Sequence, residues 1–359
     1  QIGTKYFENL IQTYILDNTH GAIVVVKPEK GRTAKMDKML EEKLAAYKAS
    51  LSEEEIRALV EATHELVEYQ ESEERLEDVE KIPVLERSDI SREIAPIQNE
   101  ELSMDDTLVV YHDIDTNGIG YVDLLFDLSG VSEEELPYVG MLQAVLGVID
   151  TENYEYGELF NEINMHTGGI STGIELYPDV TKAEEKDFQA IFEIKSKALY
   201  DKLPIAFSMM KEILTKSNLR DEKRLKEILA MAKSRLQMRF QSSGHTIAAG
   251  RAMAYTSPLA KFKDLTVGIE YYEIVKRVEE HFEEEKEVLM STLERLSKKL
   301  FRSDNMMVSF TAEREGLAQL ELQIPQIKNA LFEEKVEQTP CTLHCKKRNE
   351  GLKTASKVQ

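Results

Sequence analysis

The chain has 359 residues, of which 42% are hydrophobic and 31% are charged, and its formal net charge is −21. This length allows two domains, or one domain with a large appendage. The acidic charge excludes nucleic acid as a partner, since binding phosphates requires clustered Lys and Arg. No run of about 18 apolar residues occurs, so we expect no membrane span.

Two features indicate where such a chain works. Its two cysteines, Cys341 and Cys345, are too few for a disulfide framework and fit a reducing compartment. No signal peptide is visible, so we expect the cytoplasm of a bacterium or the matrix of an organelle. The chain begins at Gln1 rather than Met, which predicts an internal fragment of a longer protein. The acidic charge favours solubility, and on a concave face it would also attract basic peptides.

Residues 1–34 are predicted to be the C-terminal end of a truncated α+β domain. Residues 3–16 have apolar side chains at helical spacing, and the apolar run at 22–26 is typical of a buried strand. One helix and one strand do not make a domain, so we expect its beginning to lie outside the chain.

Residues 35–91 are predicted to form a helical hairpin linker. Two apolar stripes flank Ser52, a predicted N-cap with Glu55 at the capping-box position. Two amphipathic helices joined by so short a turn are typical of an antiparallel hairpin. The stripes comprise Met36, Met39, Leu40, Leu44 and Tyr47 in the first helix, and Ile56, Leu59, Val60, Thr63, Leu66 and Val67 in the second.

Residues 92–330 are predicted to form one α+β domain, and residues 331–359 a tail without clear periodicity. A hairpin is expected, with its strands joined by the turn Asp-Thr-Asn-Gly at 115–118. The expected strands lie at 107–114, 119–128, 169–177, 188–196 and 306–311, and the expected helices at 132–148, 156–165, 201–216, 221–241 and 265–300.

The same turn resembles the start of a calcium-binding loop. Asp113, Asp115 and Asn117 have the right spacing, but Leu124 stands where the loop needs a bidentate Glu. The flanking segments also alternate as strands rather than helices, so a hairpin turn is the preferred interpretation.

Residues 169–173 match the G-x-S-x-G pattern of a hydrolase nucleophile, with Ser171 at the centre. That pattern requires a strand followed by a helix, which exposes the serine on a sharp turn. Here a helix precedes and a strand follows, so the glycines are interpreted as allowing close backbone packing.

Two further patterns suggest metal sites, and both are incomplete. Cys341, His344 and Cys345 lack the spacing of a zinc finger and a second ligand pair. His64 begins an H-E-x-x-H pattern in which Glu68 replaces the second histidine. Helical zinc-peptidase motifs need histidines four residues apart. No pair satisfies this among His20, His64, His112, His166, His245, His281 and His344.

In several stretches the chain resembles the presequence-protease branch of the pitrilysin/insulinase zinc metallopeptidase superfamily. The ordered matches run from residues 5–14 through the acidic hairpin at 36–76 to the closing residues 349–359. The most telling are residues 136–138 (Leu-Pro-Tyr), 146–151 (Leu-Gly-Val-Ile-Asp-Thr), 156–159 (Tyr-Gly-Glu-Leu) and 168–170 (Gly-Gly-Ile).

The resemblance implies four related α+β domains, each an antiparallel sheet packed by helices, in two halves joined by the helical hairpin. It also implies that the first domain holds zinc with an H-x-x-E-H motif. This chain would then contain the end of domain two, the hairpin, domain three and the start of domain four. The motif falls here on Tyr138, Met141 and Leu142, so we expect no catalytic residue and no metal ligand.

The family's substrate-contacting arginine and tyrosine would lie in the fourth domain, beyond Gln359. Arg251 and Tyr255 are therefore not assigned that role, and we expect them to serve helix packing.

The parent protein is thus expected to be a zinc metalloendopeptidase that degrades unfolded peptides, basic ones included, in a closed chamber. This chain would supply the hinge and part of the chamber wall, while the missing N-terminal catalytic half holds the zinc. One alternative is a peptide-binding or assembly subunit that partners a separate catalytic chain. Another is an unrelated α+β interaction protein with a helical arm. Apolar surface left uncovered at the truncated ends predicts self-association.

Overall fold

The computed structural model describes residues 3–93, 96, 99–179, 181, 188–333 and 342–353. The chain divides into two compact units, Gln1–Ile94 and Ala95–Gln359. Each unit is described by itself below.

The first unit is helical throughout its regular segments. Ser52 caps its longest downstream helix, because its hydroxyl accepts a hydrogen bond from the Glu55 N–H at 3.3 Å while its own N–H donates to the Glu55 carboxylate at 2.8 Å. The predicted capping box is therefore confirmed. The helices are α1 (Tyr6–Ile11), which continues as a π-helical turn at Gln12–Leu16, then α2 (Arg32–Ser50), α3 (Glu53–Glu71) and α4 (Leu76–Val79).

The strand predicted at residues 22–26 is wrong. These residues have no regular structure, and Ile23 is 94% exposed. A strand needs a partner strand for its backbone hydrogen bonds, and the described residues of this unit contain none. The apolar stripes of α2 and α3 are also exposed, with Leu44 at 56% and Leu59 at 50%.

The second unit contains a six-stranded sheet with the order β1-β2-β6-β3-β5-β4. Among these described strands the β2–β6 pair is parallel, and the other neighbouring pairs are antiparallel. With helices packed on this sheet, the predicted α+β class is confirmed. The strands are β1 (Glu100–Met104), β2 (Thr107–Asp113), β3 (Ile119–Asp127), β4 (Ile170–Pro178), β5 (Phe188–Leu199) and β6 (Met306–Ala312).

The predicted hairpin between β2 and β3 is wrong, because β6 lies between them. Tyr111 of β2 pairs with Phe310 of β6, and Tyr121 of β3 pairs with Thr311 of β6. The turn itself is real, since Asn117 has a φ of 54°. Turn residues report that the chain reverses, but not which strand fills the gap.

The observed hairpin joins β1 to β2. Asp105 and Asp106 connect the strands, with φ values of 49° and 59°. Both residues adopt the left-handed conformation, which aspartate tolerates better than most residues. The short, polar strand β1 carries little apolar alternation, so sequence reasoning did not predict it.

Nine helices complete the described part of the second unit. The single helix predicted at 265–300 is in fact three helical segments that break at Gly268 and His281. A Cβ on Gly268 would come within 2.4 Å of the Asp264 carboxylate, so this corner accepts only glycine. The helices are α5 (Leu136–Val145), α6 (Tyr156–His166), α7 (Leu203–Lys216), α8 (Glu222–Ser242), α9 (Gly244–Met253), α10 (Pro258–Val267), α11 (Ile269–Glu280), α12 (Phe282–Leu300) and α13 (Arg314–Lys328).

One face of the sheet forms the core. Alternate side chains of β3, including Phe126, are fully buried beneath the helices. Phe301 packs edge to face on Phe126 and Phe192, with ring centroids 5.1 Å and 5.3 Å apart. Each such ring contributes about 1.5–3 kcal/mol by burial. This aromatic group therefore ties the end of α12 to the middle of the sheet.

Candidate functional site

The helix that would carry a zinc motif is α5. Pro137 lies in its first turn, where a missing N–H costs nothing. Of the three motif positions, Met141 and Leu142 are completely buried in the core and Tyr138 is half-buried. A thioether and an isobutyl group inside the core offer zinc no imidazole and water no base. The residues at these positions do not fit a zinc ion.

The carboxylate closest in sequence to those positions is Glu135, and it is already engaged. It accepts hydrogen bonds from Arg295, from Lys299 at 2.8 Å and from the Ser132 N–H at 3.0 Å. Burial alone would raise the pKa of Glu135, but these hydrogen bonds lower it to about 2. A general base works best with a pKa near the operating pH. Glu135 is therefore an anchor between α5 and α12 rather than a base.

Gly140 explains how closely α5 approaches its neighbour. A Cβ at this position would lie 2.5 Å from the carbonyl oxygen of Thr266 in α10 and 2.9 Å from the ring of Tyr271 in α11. Only a glycine lets the helices meet at this distance. The motif helix is thus held against α10 by backbone contact, which leaves no room for an ion between them.

Arg251 of α9 lies in a buried ionic cluster, with only 8% of its surface exposed. Its guanidinium donates to Asp264, to Glu270 at 3.1 Å and to Glu350 at 2.5 Å. Tyr255 donates its hydroxyl to the same Glu350 oxygen at 2.7 Å. Burial raises the pKa of Asp264 even with Arg251 beside it. Both candidates are therefore engaged by this chain's own carboxylates, as their expected packing role requires.

Lys261 extends the cluster and was missed by sequence reasoning. Its ammonium, which is buried, lies 2.6 Å from Glu270 and 3.6 Å from Glu133. Glu133 in turn accepts the backbone N–H of His344 at 2.9 Å. A charged residue inside an otherwise apolar stretch of α10 was the available signal, since buried charges are normally paired.

The remaining sequence patterns keep their structural interpretations. Ser171 lies exposed within β4, after α6, so no strand-to-helix turn presents it as a nucleophile. Leu124 is fully buried in β3, where it cannot approach the turn at 115–118. Cys341 lies outside the described residues, and Cys345 is a free cysteine. Within the described ranges, no three His, Cys, Asp or Glu side chains are placed to hold a metal ion.

An α+β domain whose motif helix is filled with apolar side chains is the class that these observations define. The family model for the domain associated with subfamily C of peptidase family M16 matches residues 26–278. The chain belongs to this peptidase M16 subfamily C associated family.

Named relatives agree with that assignment. Protein HypA of Clostridium perfringens is 32% identical over 99% of this chain and 36% of its own length. Presequence protease 1, chloroplastic/mitochondrial, of Arabidopsis thaliana is 27% identical over 91% of this chain and 30% of its own length. The resemblance to the presequence-protease branch is therefore confirmed. The chain spans about a third of the length of these relatives.

Solved structures with a related arrangement include a peptidase M16 inactive domain from Pseudomonas fluorescens. It is 13% identical, with a TM-score of 0.44, over 68% of this chain and 52% of that one. At this level the likeness adds nothing to the family assignment. None of the helices in the described ranges is long and apolar enough to cross a bilayer.

Proposed function

We propose that this chain is a non-catalytic portion of a zinc metalloendopeptidase that degrades unfolded peptides in a closed chamber. The observation that carries the proposal is α5, whose motif positions hold Tyr138, Met141 and Leu142 in a packed core. The names of the curated relatives support a parent that is a peptidase. Zinc then belongs to a part of the parent outside this chain.

The proposed layout follows the four segments of the sequence. Residues 1–34 end a preceding domain, residues 35–91 are the hinge, residues 92–330 are one wall of the chamber, and residues 331–359 lead into the next domain. The division of the chain near residue 94 supports a boundary between hinge and wall. Relatives named as mitochondrial or chloroplastic support a matrix location as one option beside the bacterial cytoplasm.

A peptidase assay with two proteins tests the proposal. The 359-residue chain, supplied with zinc, is expected to leave an unfolded peptide intact, whereas the parent protein cleaves it until a chelator is added. The matched control is the parent with the first histidine of its H-x-x-E-H motif changed to alanine, which is expected to be inactive. Chelator-sensitive cleavage by the chain alone would refute a non-catalytic role.

Exposed apolar side chains on α2 and α3 favour a second candidate, a peptide-binding or assembly subunit of a separate catalytic chain. Gel filtration with a separately expressed catalytic half distinguishes the two. A stable complex formed without a covalent link, together with restored cleavage, would favour the subunit. Self-association is expected when no partner is present, and light scattering over a range of concentrations measures it.

A further inference from the structure

A cavity of about 530 Å³ lies between the end of α5, α6, the start of β4 and α8. Pockets for small ligands usually measure about 300–1,000 Å³ and are mostly apolar with a few polar groups. This cavity matches both criteria, since its apolar lining includes Leu146, Phe160, Ile163, Ile170 and Ala232. None of the polar contacts described above uses it.

An unpaired strand edge adjoins the cavity. β4 is the last strand in the sheet order, so one of its edges has no neighbouring strand among the residues described. Ile170 and Thr172, at its start, line the cavity. Gln143 donates to the Thr172 carbonyl at 3.4 Å, a long bond that a better donor would replace. Such an edge can bind an extended peptide backbone.

Charge at the cavity rim favours an anion. Arg235 of α8 lines the cavity and is exposed, and no ion pair or side-chain hydrogen bond engages it in the described part of the chain. Lys233, two residues earlier, pairs with Glu279. The helix has six basic and two acidic residues, although the whole chain has a net charge of −21. Arg235 is thus a free guanidinium beside an apolar space.

We propose that this cavity binds the C-terminal residue of a peptide, with its apolar side chain inside and its carboxylate on Arg235. A C-terminal residue is the part of a peptide that carries an apolar side chain and a carboxylate on one Cα. The residues before it continue along the edge of β4. This inference rests on the proposed function for its peptide ligand and adds which end of that ligand the wall holds.

Fluorescence anisotropy with the full 359-residue chain tests the inference. The probe is a short N-terminally labelled peptide that ends in leucine with a free carboxylate, and the comparison is the same peptide with an amidated end. Losing one charge-assisted hydrogen bond is expected to weaken binding about 10- to 100-fold for the amide. A peptide that ends in aspartate is also expected to bind more weakly, because its side chain does not suit the cavity.

Two variants locate the site. Arg235→Gln is expected to abolish the preference for the free carboxylate, while Arg239→Gln, one turn further along the exposed face, keeps it. Ala232→Leu fills the cavity and is expected to weaken both peptides equally. Both Arg235 and Arg239 are exposed, so neither change threatens folding, and a thermal melt checks this.

Equal binding of acid and amide, an unchanged ratio in Arg235→Gln, or no peptide binding at all would overturn the inference. Peptide binding without any preference for the free C-terminus would overturn it and leave the proposed function standing. Chelator-sensitive cleavage by the chain refutes the proposed function instead, so the two failures are distinguishable.

Discussion

The two units of the chain encode helices in the same way and differ in what those helices contact. α3 in the first unit and α12 in the second are both 19 residues long and amphipathic. The apolar side chains of α12, such as Leu293, are buried, whereas Leu66 on α3 is 54% exposed. Periodicity and capping therefore predict a helix, but burial requires a partner surface.

This difference separates two sources of helix stability. In the second unit, tertiary packing dominates, and single residues in the core contribute several kcal/mol. In the first unit, local effects such as caps remain, and each is worth about 1 kcal/mol. The predictions below use this contrast, from the largest expected change to the smallest.

Removing a core ring should break the second unit and leave the first untouched. Phe301→Ala deletes the ring that packs on Phe126 and Phe192, so we expect a loss of about 3–5 kcal/mol in the free energy of unfolding. Leu44→Ala on the exposed stripe of α2 should change it by less than about 0.5 kcal/mol. Urea unfolding followed by circular dichroism measures both, and similar losses would contradict the contrast.

A methyl group at the closest helix contact should destabilise the second unit. Gly140→Ala places a Cβ within 2.5 Å of the Thr266 carbonyl oxygen, so α5 and α10 must separate at a cost of about 1–3 kcal/mol. The matched control is Gly157→Ala in α6, where a Cβ meets nothing within 4 Å. That change should stabilise by up to about 1 kcal/mol, because alanine favours a helix. A gain in both variants would show that the contact is not tight.

The Glu135 anchor should make the second unit sensitive to acid. Burial raises the pKa of Glu135, but hydrogen bonds from Arg295 and Lys299 outweigh it and keep the pKa at about 2, below the unfolded value of roughly 4.3. Its contribution is therefore complete above the unfolded pKa and is lost as the pH falls towards the folded pKa. Glu135→Gln should cost about 1–3 kcal/mol at neutral pH.

That cost should shrink steadily below about pH 4.5 as the wild-type carboxylate protonates. Glu315→Gln, at an exposed glutamate of α13, is the control and should show no such trend. Unfolding midpoints measured from about pH 7 to about pH 2.5 test this. A difference between wild type and Glu135→Gln that stays constant with pH would rule out the anchor.

The smallest expected effect is in the first unit. Ser52→Ala removes the cap of α3 and should lower the stability of that helix by about 1 kcal/mol. Amide hydrogen exchange at residues 53–71 should accelerate about fivefold, since opening free energy controls the rate. The unfolding midpoint of the second unit should not move. Ser72→Ala, at the other end of α3, retains the cap and serves as the control.

Sequence reasoning was most successful where the signal is local. The Ser52 cap and the alternation of β3 follow from neighbouring residues, and both were predicted. The position of β6 was not, because Phe310 meets Tyr111 only after a separation of about 200 residues that no window covers. The run at 22–26 shows the opposite error, since apolar composition favours a strand but cannot supply its partner.

The same limit applies to the candidate site. The absence of zinc ligands follows from histidine spacing alone, and Tyr138, Met141 and Leu142 were identified in the sequence. The salt-bridged cluster around Arg251 was not, because Asp264 and Glu350 become its partners only through folding. The cavity beside Arg235 is likewise a product of four elements from separate parts of the chain.

The late arrival of β6 also has a consequence for synthesis on the ribosome. β3 is complete at Asp127, but the strand that joins it to β2 begins only at Met306. At roughly 5–20 residues per second, the gap lasts about 10 to 40 seconds. Throughout that interval the facing edges of β2 and β3 are unsatisfied and open to pairing with other chains. A nascent chain of this protein should therefore depend on chaperones until its last strand has emerged.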